Sequence, residues 1–287
     1  FGSNDGMLHA VYDALVDLYR NETHYGTESW AFIPPDLLPK LKNMVEGTGH
    51  QYYVDSSPKT YFRDVDKNGL SDAGDQVILV SGERKGGSSY FALDITNPES
   101  PIHLWRIDNS TVVELGESWS EPQFGLVKTS ATDTVGTPVF FIGGGYSATN
   151  ASGKAILAIN VATGQVVKAF TNDATLTAMN YSIASNVAVF DSNDNGFVDK
   201  VYVGDLGSQL WRIGHFTDAA GEPLPFPDSD ENIFNWSAEV VFVSDTTHAR
   251  KFYYPPSLTL EKGYDLLFIG TGDRENACVT STSDRLY

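Results

Sequence analysis

Short apolar runs separated by turn residues dominate this chain and most constrain its fold. "QVILVSG", "SYFALDI", "PIHLWRI", "PVFFIGGG", "AILAIN", "QVVKAF", "NVAVF", "VYVGD", "QLWRI", "EVVFVS" and "DLLFIGTG" follow one another, rich in Val, Ile, Phe and Tyr and broken by Gly, Pro, Asn and Asp. Such runs read as strands, and the predicted class is all-β. Two stretches depart from the pattern. "VYDALVDLYRN" and "PPDLLPKLKNMVEG" space their apolar residues by three and four, the second with Pro at its start and Gly47 at its end. They predict a helical insertion over about residues 12–46, lying outside the strands. Leu15, Leu18, Leu37, Leu38, Leu41 and Val45 would cover apolar surface from one face of each helix. No low-complexity linker divides the chain, which predicts one domain over residues 1–287.

A weak internal repeat narrows the architecture. "MLHAVYD", "YFALDITNPESPIHLW" and "ILAINVATGQVVKAF" share a strand followed by Asp or Asn, and the last two add a Thr-containing turn and a returning strand; "QLWRIGHFTD" is a frayed fourth copy. The intervals are uneven, 82 residues from Ala10 to Ala92 and 66 from Ala92 to Ala158. A propeller blade takes about 40–45 residues, so insertions or unmatched blades separate the copies. Radial repetition builds a large all-β domain without a long exposed edge, and a modified β-propeller is favoured over a sandwich.

Charge and motif content exclude several functions. The 37 acids against 19 bases give a formal charge of −18, the wrong sign for a nucleic-acid partner. No apolar run is long enough to span a bilayer. The chain opens at Phe1 and stops in "SDRLY", which suggests a domain excised from a longer protein. Cys278 is the single cysteine and has no internal partner. "GGGYSA" matches a dinucleotide fingerprint, but no helix pattern follows, so it reads as a glycine-rich strand end. Walker A, H-E-x-x-H and G-x-S-x-G motifs are absent from the sequence. Trp105 and Trp211, each within "LWRI", read as packing residues in strands.

Two polar turns carry the ligand pattern of a calcium loop. An EF-hand loop coordinates through side chains at positions 1, 3, 5, 9 and 12 and the carbonyl at 7, with Gly at 6. "DVDKNGLSDAGD" supplies Asp64, Asp66, Asn68, Gly69, the Leu70 carbonyl, Asp72 and Asp75 at those positions. "DSNDNGFVDK" supplies Asp191, Asn193, Asn195, Gly196, the Phe197 carbonyl and Asp199, and Tyr202 at position 12 is no ligand. Both precede strand-like runs, so they would be calcium loops on a β scaffold. The alternative is two polar turns in which Asp and Asn bond to nearby backbone. The alternating spacing with Gly at position 6, present twice, favours Ca2+, one or two ions.

Several stretches together resemble a known family. "FGSNDGMLHA", "WAFIPPDLL", "YYVDSSP", "GGSSYFALDIT", "ESWSEPQF", "DSNDNGFVDKVYVGDLGSQLWR" and "FIGTGDRE" occur in the order seen in the C-terminal domain of PilC/PilY-type pilus-tip adhesins. The resemblance covers Phe1 to about Glu275 and implies a modified β-propeller of a secreted type IV pilus protein. It implies a non-enzymatic role at the cell surface or pilus tip of a bacterium, with minor pilins or other pilus components as partners. It also implies calcium in the Asp191–Asp199 loop, linked to pilus extension and retraction. Asn195 stands where the family often has Asp. The Asp64 loop rests on ligand spacing alone. Two other classes compete: a quinoprotein dehydrogenase, suggested by "AILAINVATGQ", and a carbohydrate-binding propeller without a pilus role. Many quinoprotein alcohol dehydrogenases have an adjacent Cys pair, which one cysteine cannot make.

Overall fold

A computed structural model describes residues 1–13, 26–47, 49–218, 220, 222–224, 232–261, 263–278 and 280–287. Three four-stranded antiparallel sheets follow one another along the chain, each paired in sequence order. The first holds β3 (Lys59–Arg63), β4 (Gln76–Gly82), β5 (Tyr90–Asp94) and β6 (Ile102–Ile107). The second holds β7 (Gln123–Val127), β8 (Thr137–Gly143), β9 (Ala155–Asn160) and β10 (Val166–Thr171). The third holds β11 (Ala188–Phe190), β12 (Lys200–Gly204), β13 (Gln209–Gly214) and β14 (Ser237–Val243). Two-stranded sheets flank them in sequence: β1 (Leu8–Val11) with β2 (Glu28–Phe32), and β15 (Ser257–Glu261) with β16 (Tyr264–Phe268).

The sheets stack face to face in chain order, and strand periodicity explains how. Alternate residues of a strand point to opposite faces. From β8, Phe140 and Ile142 join Ile78, Val80 and Trp105 of the first sheet. Val139 and Phe141, on its other face, join Val201, Val203 and Trp211 of the third. Leu8 packs with Leu79 and Phe91, and Leu210 with Leu267 and Ile269, so the two-stranded sheets continue the stack at each end. A sheet covered on both faces needs apolar residues at consecutive positions. That is why β5, β9 and β12 are continuous apolar runs, buried almost throughout. Outer strand β14 alternates in burial, with Ala238 and Val240 in the core shared with the second sheet and Phe242 packed with Leu210 and Ile269.

The internal repeat has a structural meaning. Its copies are β5–β6, β9–β10 and β13, the third and fourth strands of successive sheets, and β1 is the same unit paired with β2 as β5 pairs with β6. Trp105 and Trp211 are packing residues as expected, 8% and 1% exposed. "GGGYSA" is a strand end, with β8 stopping at Gly143.

The helical insertion near the N-terminus is present as one short helix, and its extent is smaller than expected. Residues 28–32, inside the expected 12–46 span, form strand β2. The second predicted helix shrinks to a 3-10 turn at Leu38–Lys40 and one helical turn, α1 (Asn43–Glu46). Leu37 is buried and Leu41 packs beside it, whereas Leu38 and Val45 are exposed, 53% and 89%. One helical turn cannot align residues 37 to 45 on a single face. The first predicted helix, with Leu15 and Leu18, falls mostly outside the described residues; Val11 belongs to β1.

Candidate metal centre

Both acidic loops are the connection between the first and second strands of a sheet, β3–β4 and β11–β12. A hairpin connection is free of sheet pairing and can accept a left-handed turn. Both loops take the same backbone course. Positions 4 and 6 have positive φ in each: Lys67 at 60° and Gly69 at 77°, Asp194 at 58° and Gly196 at 91°. Glycine at position 6 meets no steric penalty there.

The two loops also share five hydrogen bonds. The N–H groups of positions 5 and 6 donate to the first Asp: Asn68 and Gly69 to Asp64, at 3.2 and 2.7 Å, and Asn195 and Gly196 to Asp191, at 3.1 and 2.6 Å. The position-5 N–H also reaches the position-3 side chain, Asp66 at 3.1 Å and Asn193 at 3.2 Å. The position-7 N–H donates to the position-5 amide oxygen, Leu70 to Asn68 and Phe197 to Asn195. In the fifth bond the position-2 N–H holds the closing carboxylate. Val65 donates to Asp75 Oδ1 at 2.8 Å and Ser192 to Asp199 Oδ2 at 3.0 Å.

This last bond revises one assignment. By spacing, Asp199 corresponds to Asp72 at position 9. By hydrogen bonding it corresponds to Asp75, and each is the residue immediately before its second strand. The shorter loop closes directly on Asp199, so Tyr202 is never required as a ligand.

Carboxylate oxygens of Asp64, Asp66 and Asp75 lie within 4.8 Å of one another. Asn68 Nδ2 ties Asp72 to Asp66, at 2.8 and 2.9 Å. The Gly69 N–H is the main influence holding Asp64 below the usual carboxylate range. In the second loop, burial pushes Asp199 up, against the Ser192 hydroxyl and N–H. Asp199 Oδ1 is buried and has no hydrogen-bond partner. A buried carboxylate oxygen without a donor is costly, and a hard cation would satisfy it. All candidate ligands are oxygen, the set that suits Ca2+ or Mg2+. The residues therefore fit such an ion.

The loops border a common groove of about 380 Å³, lined by Asp64 and Gly196 together with Tyr61, Phe124 and Leu126. Sequence spacing picks out the candidate ligands but not the groups that support them. Ser192 Oγ donates to Asp199 Oδ2 at 2.6 Å. The Phe197 ring lies beside Gly136 and under the Lys128 ammonium, 4.7 Å from the ring centre. Nothing in the spacing of a loop reveals contacts with another sheet.

Comparison with known proteins identifies the family. The family model of the PilY1 beta-propeller domain matches residues 1–254. The chain belongs to the PilY1 β-propeller family. It is 30% identical, over its full length, to type IV pilus biogenesis factor PilY1 of Pseudomonas aeruginosa strain UCBPP-PA14, of which it covers 24%. It is 31% identical over 78% of its length to a PilY1 homolog of Xylella fastidiosa strain Temecula1, of which it covers 15%. The chain thus spans a quarter or less of these curated relatives. The crystal structure of the Pseudomonas aeruginosa PilY1 C-terminal domain matches all of this chain and 55% of that one, with a TM-score of 0.69 and 27% identity. The PilY1 relatives are named as pilus factors, not as enzymes.

Proposed function

We propose that this PilY1-family propeller is a calcium-binding domain of a type IV pilus biogenesis factor. It acts outside the cell, at the surface or pilus tip, with minor pilins or other pilus components, in pilus extension and retraction and in adhesion. The pilus role follows from the names of the relatives. The calcium role is supported by one observation above others: two hairpin loops of different sequence take the same backbone course and the same five hydrogen bonds, and in the Asp64 loop three carboxylates lie within 4.8 Å of one another.

Asp191, Asn193, Asn195, Asp199 and the Phe197 carbonyl would hold one ion, and Asp64, Asp66, Asn68, Asp72, Asp75 and the Leu70 carbonyl a second. Calcium when bound supplies charge neutralisation among crowded carboxylates and rigidity in the loop. The Asp64 loop offers four carboxylates and the Asp191 loop two, so the second site is the weaker. Calorimetry should resolve two calcium sites in the wild type and one in Asp191→Ala, with the fold unchanged because sheet packing holds the flanking strands. An Asp191→Ala protein that still takes two ions would reduce the loop to a polar turn. Deletion of the full gene should lower surface piliation or attachment, and normal piliation and attachment would count against the pilus role.

A further inference from the structure

Six consecutive residues beginning in the Asp191 loop touch three different sheets. Val198 N–H donates to the Leu126 carbonyl of β7 at 2.8 Å. A Cβ added at Gly125 would sit 2.2 Å from Val198 Cγ2, so the methyl occupies the space that this glycine leaves. Phe197 fills the equivalent space at Gly136, 2.6 Å from where a Cβ would stand. Residues 197–198 are thus seated in the β7–β8 sheet. Lys200, two residues on, is 3% exposed, and its ammonium donates to Asp265 Oδ2 of β16 at 2.8 Å. The Tyr202 hydroxyl donates to the same oxygen at 2.5 Å. Asp265 Oδ1 is buried with no partner, so the carboxylate depends on this one anchorage.

Asp199 lies between the two attachments. Its N–H is held by the Phe190 carbonyl at 2.9 Å, and its Oδ1 is the buried oxygen with no donor. An ion ligated there fixes the short backbone stretch that carries Val198 on one side and Lys200 on the other. We infer that the Asp191–Asp199 loop governs how its sheet packs on both neighbours: calcium held through Asp199 fastens Val198 to β7 and Lys200 to Asp265, so that the loop, β7 and β16 open as one unit. The inference deepens the calcium reading of this loop and rests on it.

Linkage provides a direct test. An opening that releases a bound ion becomes rarer by one plus the ratio of free calcium to Kd, about tenfold at a concentration about ten times Kd. Amide hydrogen exchange is measured on the full chain with calcium alone as the ligand, beside calorimetry on the same sample. In the wild type, amides of residues 264–268 and 123–127 should slow by the same factor as those of the loop. In Asp265→Asn, which removes no ligand, calcium should still slow the loop and β7 but no longer β16. Tyr202→Phe, a milder change, should give a partial loss in β16 if Asp265→Asn folds poorly.

Calcium binding with the loop slowed and β16 unchanged in the wild type would overturn the inference and leave the calcium reading standing. Slowing of β16 that survives Asp265→Asn would overturn it as well, because the Lys200–Asp265 contact would not be the route. No heat of binding and no slowing anywhere would instead overturn the calcium reading, and this inference with it.

Discussion

Glu83 is the most unusual single residue outside the loops. It follows the last residue of β4, is 0% exposed, and neither carboxyl oxygen has a hydrogen-bond partner; Asp36 Oδ1 also lacks a hydrogen bond, with Arg106 Nη1 3.6 Å away. Burial, reinforced by the neighbouring Asp36, pushes Glu83 up to about 9, against the cations Lys40 and Arg106. A protonated Glu83 can donate to Asp36 and so relieve the orphaned oxygens. The sign is fixed by linkage: this pKa is raised on folding, so the native state binds an extra proton between the unfolded carboxylate pKa and about 9. The stability it contributes is complete below the unfolded value and is lost as pH rises toward 9, by about 1.4 kcal/mol per unit for one proton. Glu83→Gln keeps the shape and a donor without the titration. Its urea unfolding free energy should vary less steeply between pH 5 and 9 than that of the wild type, by about one proton's slope. Equal slopes would show that Glu83 is ionised in the native state. Sequence could not reveal this residue, since "SGERKGG" reads as a polar turn and the charged neighbours Asp36 and Lys40 lie more than forty positions away.

Among the elements, the β1–β2 hairpin is held by a charge as well as by its ladder. His9 accommodates two carboxylates, Glu28 at 2.6 Å and Asp5 at 2.8 Å, one on each ring nitrogen. Both partners accept, so both nitrogens are donors when the ring is protonated. The Glu28 contact is the largest cause that raises the His9 pKa, and Asp5 adds to it against burial. Stability from this clamp is full below the unfolded histidine pKa and disappears as pH rises through the higher folded value. Exchange of the His9 and Ala10 amides should therefore quicken on going from pH 6 to 9 after correction for intrinsic rates. His9→Gln should remove that extra pH dependence; persistence of it in the variant would exclude His9 as its source. Strands like β1 were legible because apolar runs and turn residues report them directly. The segment 28–46 was not. "ESWAF" pairs with β1 from across an intervening stretch, and propensity cannot show pairing. "PPDLLPKLKNMVEG" has helical spacing, yet Pro39 interrupts it and the segment ends as one turn.

At the scale of the molecule, adjacent sheets are locked by two tryptophans from different sheets that stack on opposite faces of β8. Phe140 and Phe141 of β8 face opposite ways. Trp105 of β6 stacks on Phe140 at 5.8 Å with rings 1° from parallel, and Trp236 stacks on Phe141 at 6.0 Å and 4°. Trp105 Nε1 also donates to the Val161 carbonyl at 2.9 Å. Trp105→Ala removes a large buried ring and leaves that carbonyl short of a donor, so it should cost about 3–5 kcal/mol in chemical unfolding. A double-mutant cycle with Phe140→Ala should show coupling, since the two side chains touch. Additive losses would mean that the rings pack independently. The stacked architecture was foreshadowed by the repeat, but the partners of each tryptophan were not, because "LWRI" looks the same whichever sheet it meets.

The β7–β8 hairpin occupies the same place in its sheet as the two acidic loops, yet it carries a single capping acid. Asp133 receives the N–H groups of Thr129, Val135 and Gly136, and the turn is complete. The scaffold therefore closes this hairpin with twelve acidic-loop residues, with nine, or with neither pattern. Such a position behaves as a socket. Its contents can be lengthened, emptied or exchanged between sheets without redrawing the strands below, and a ligand set can be gained or lost one hairpin at a time.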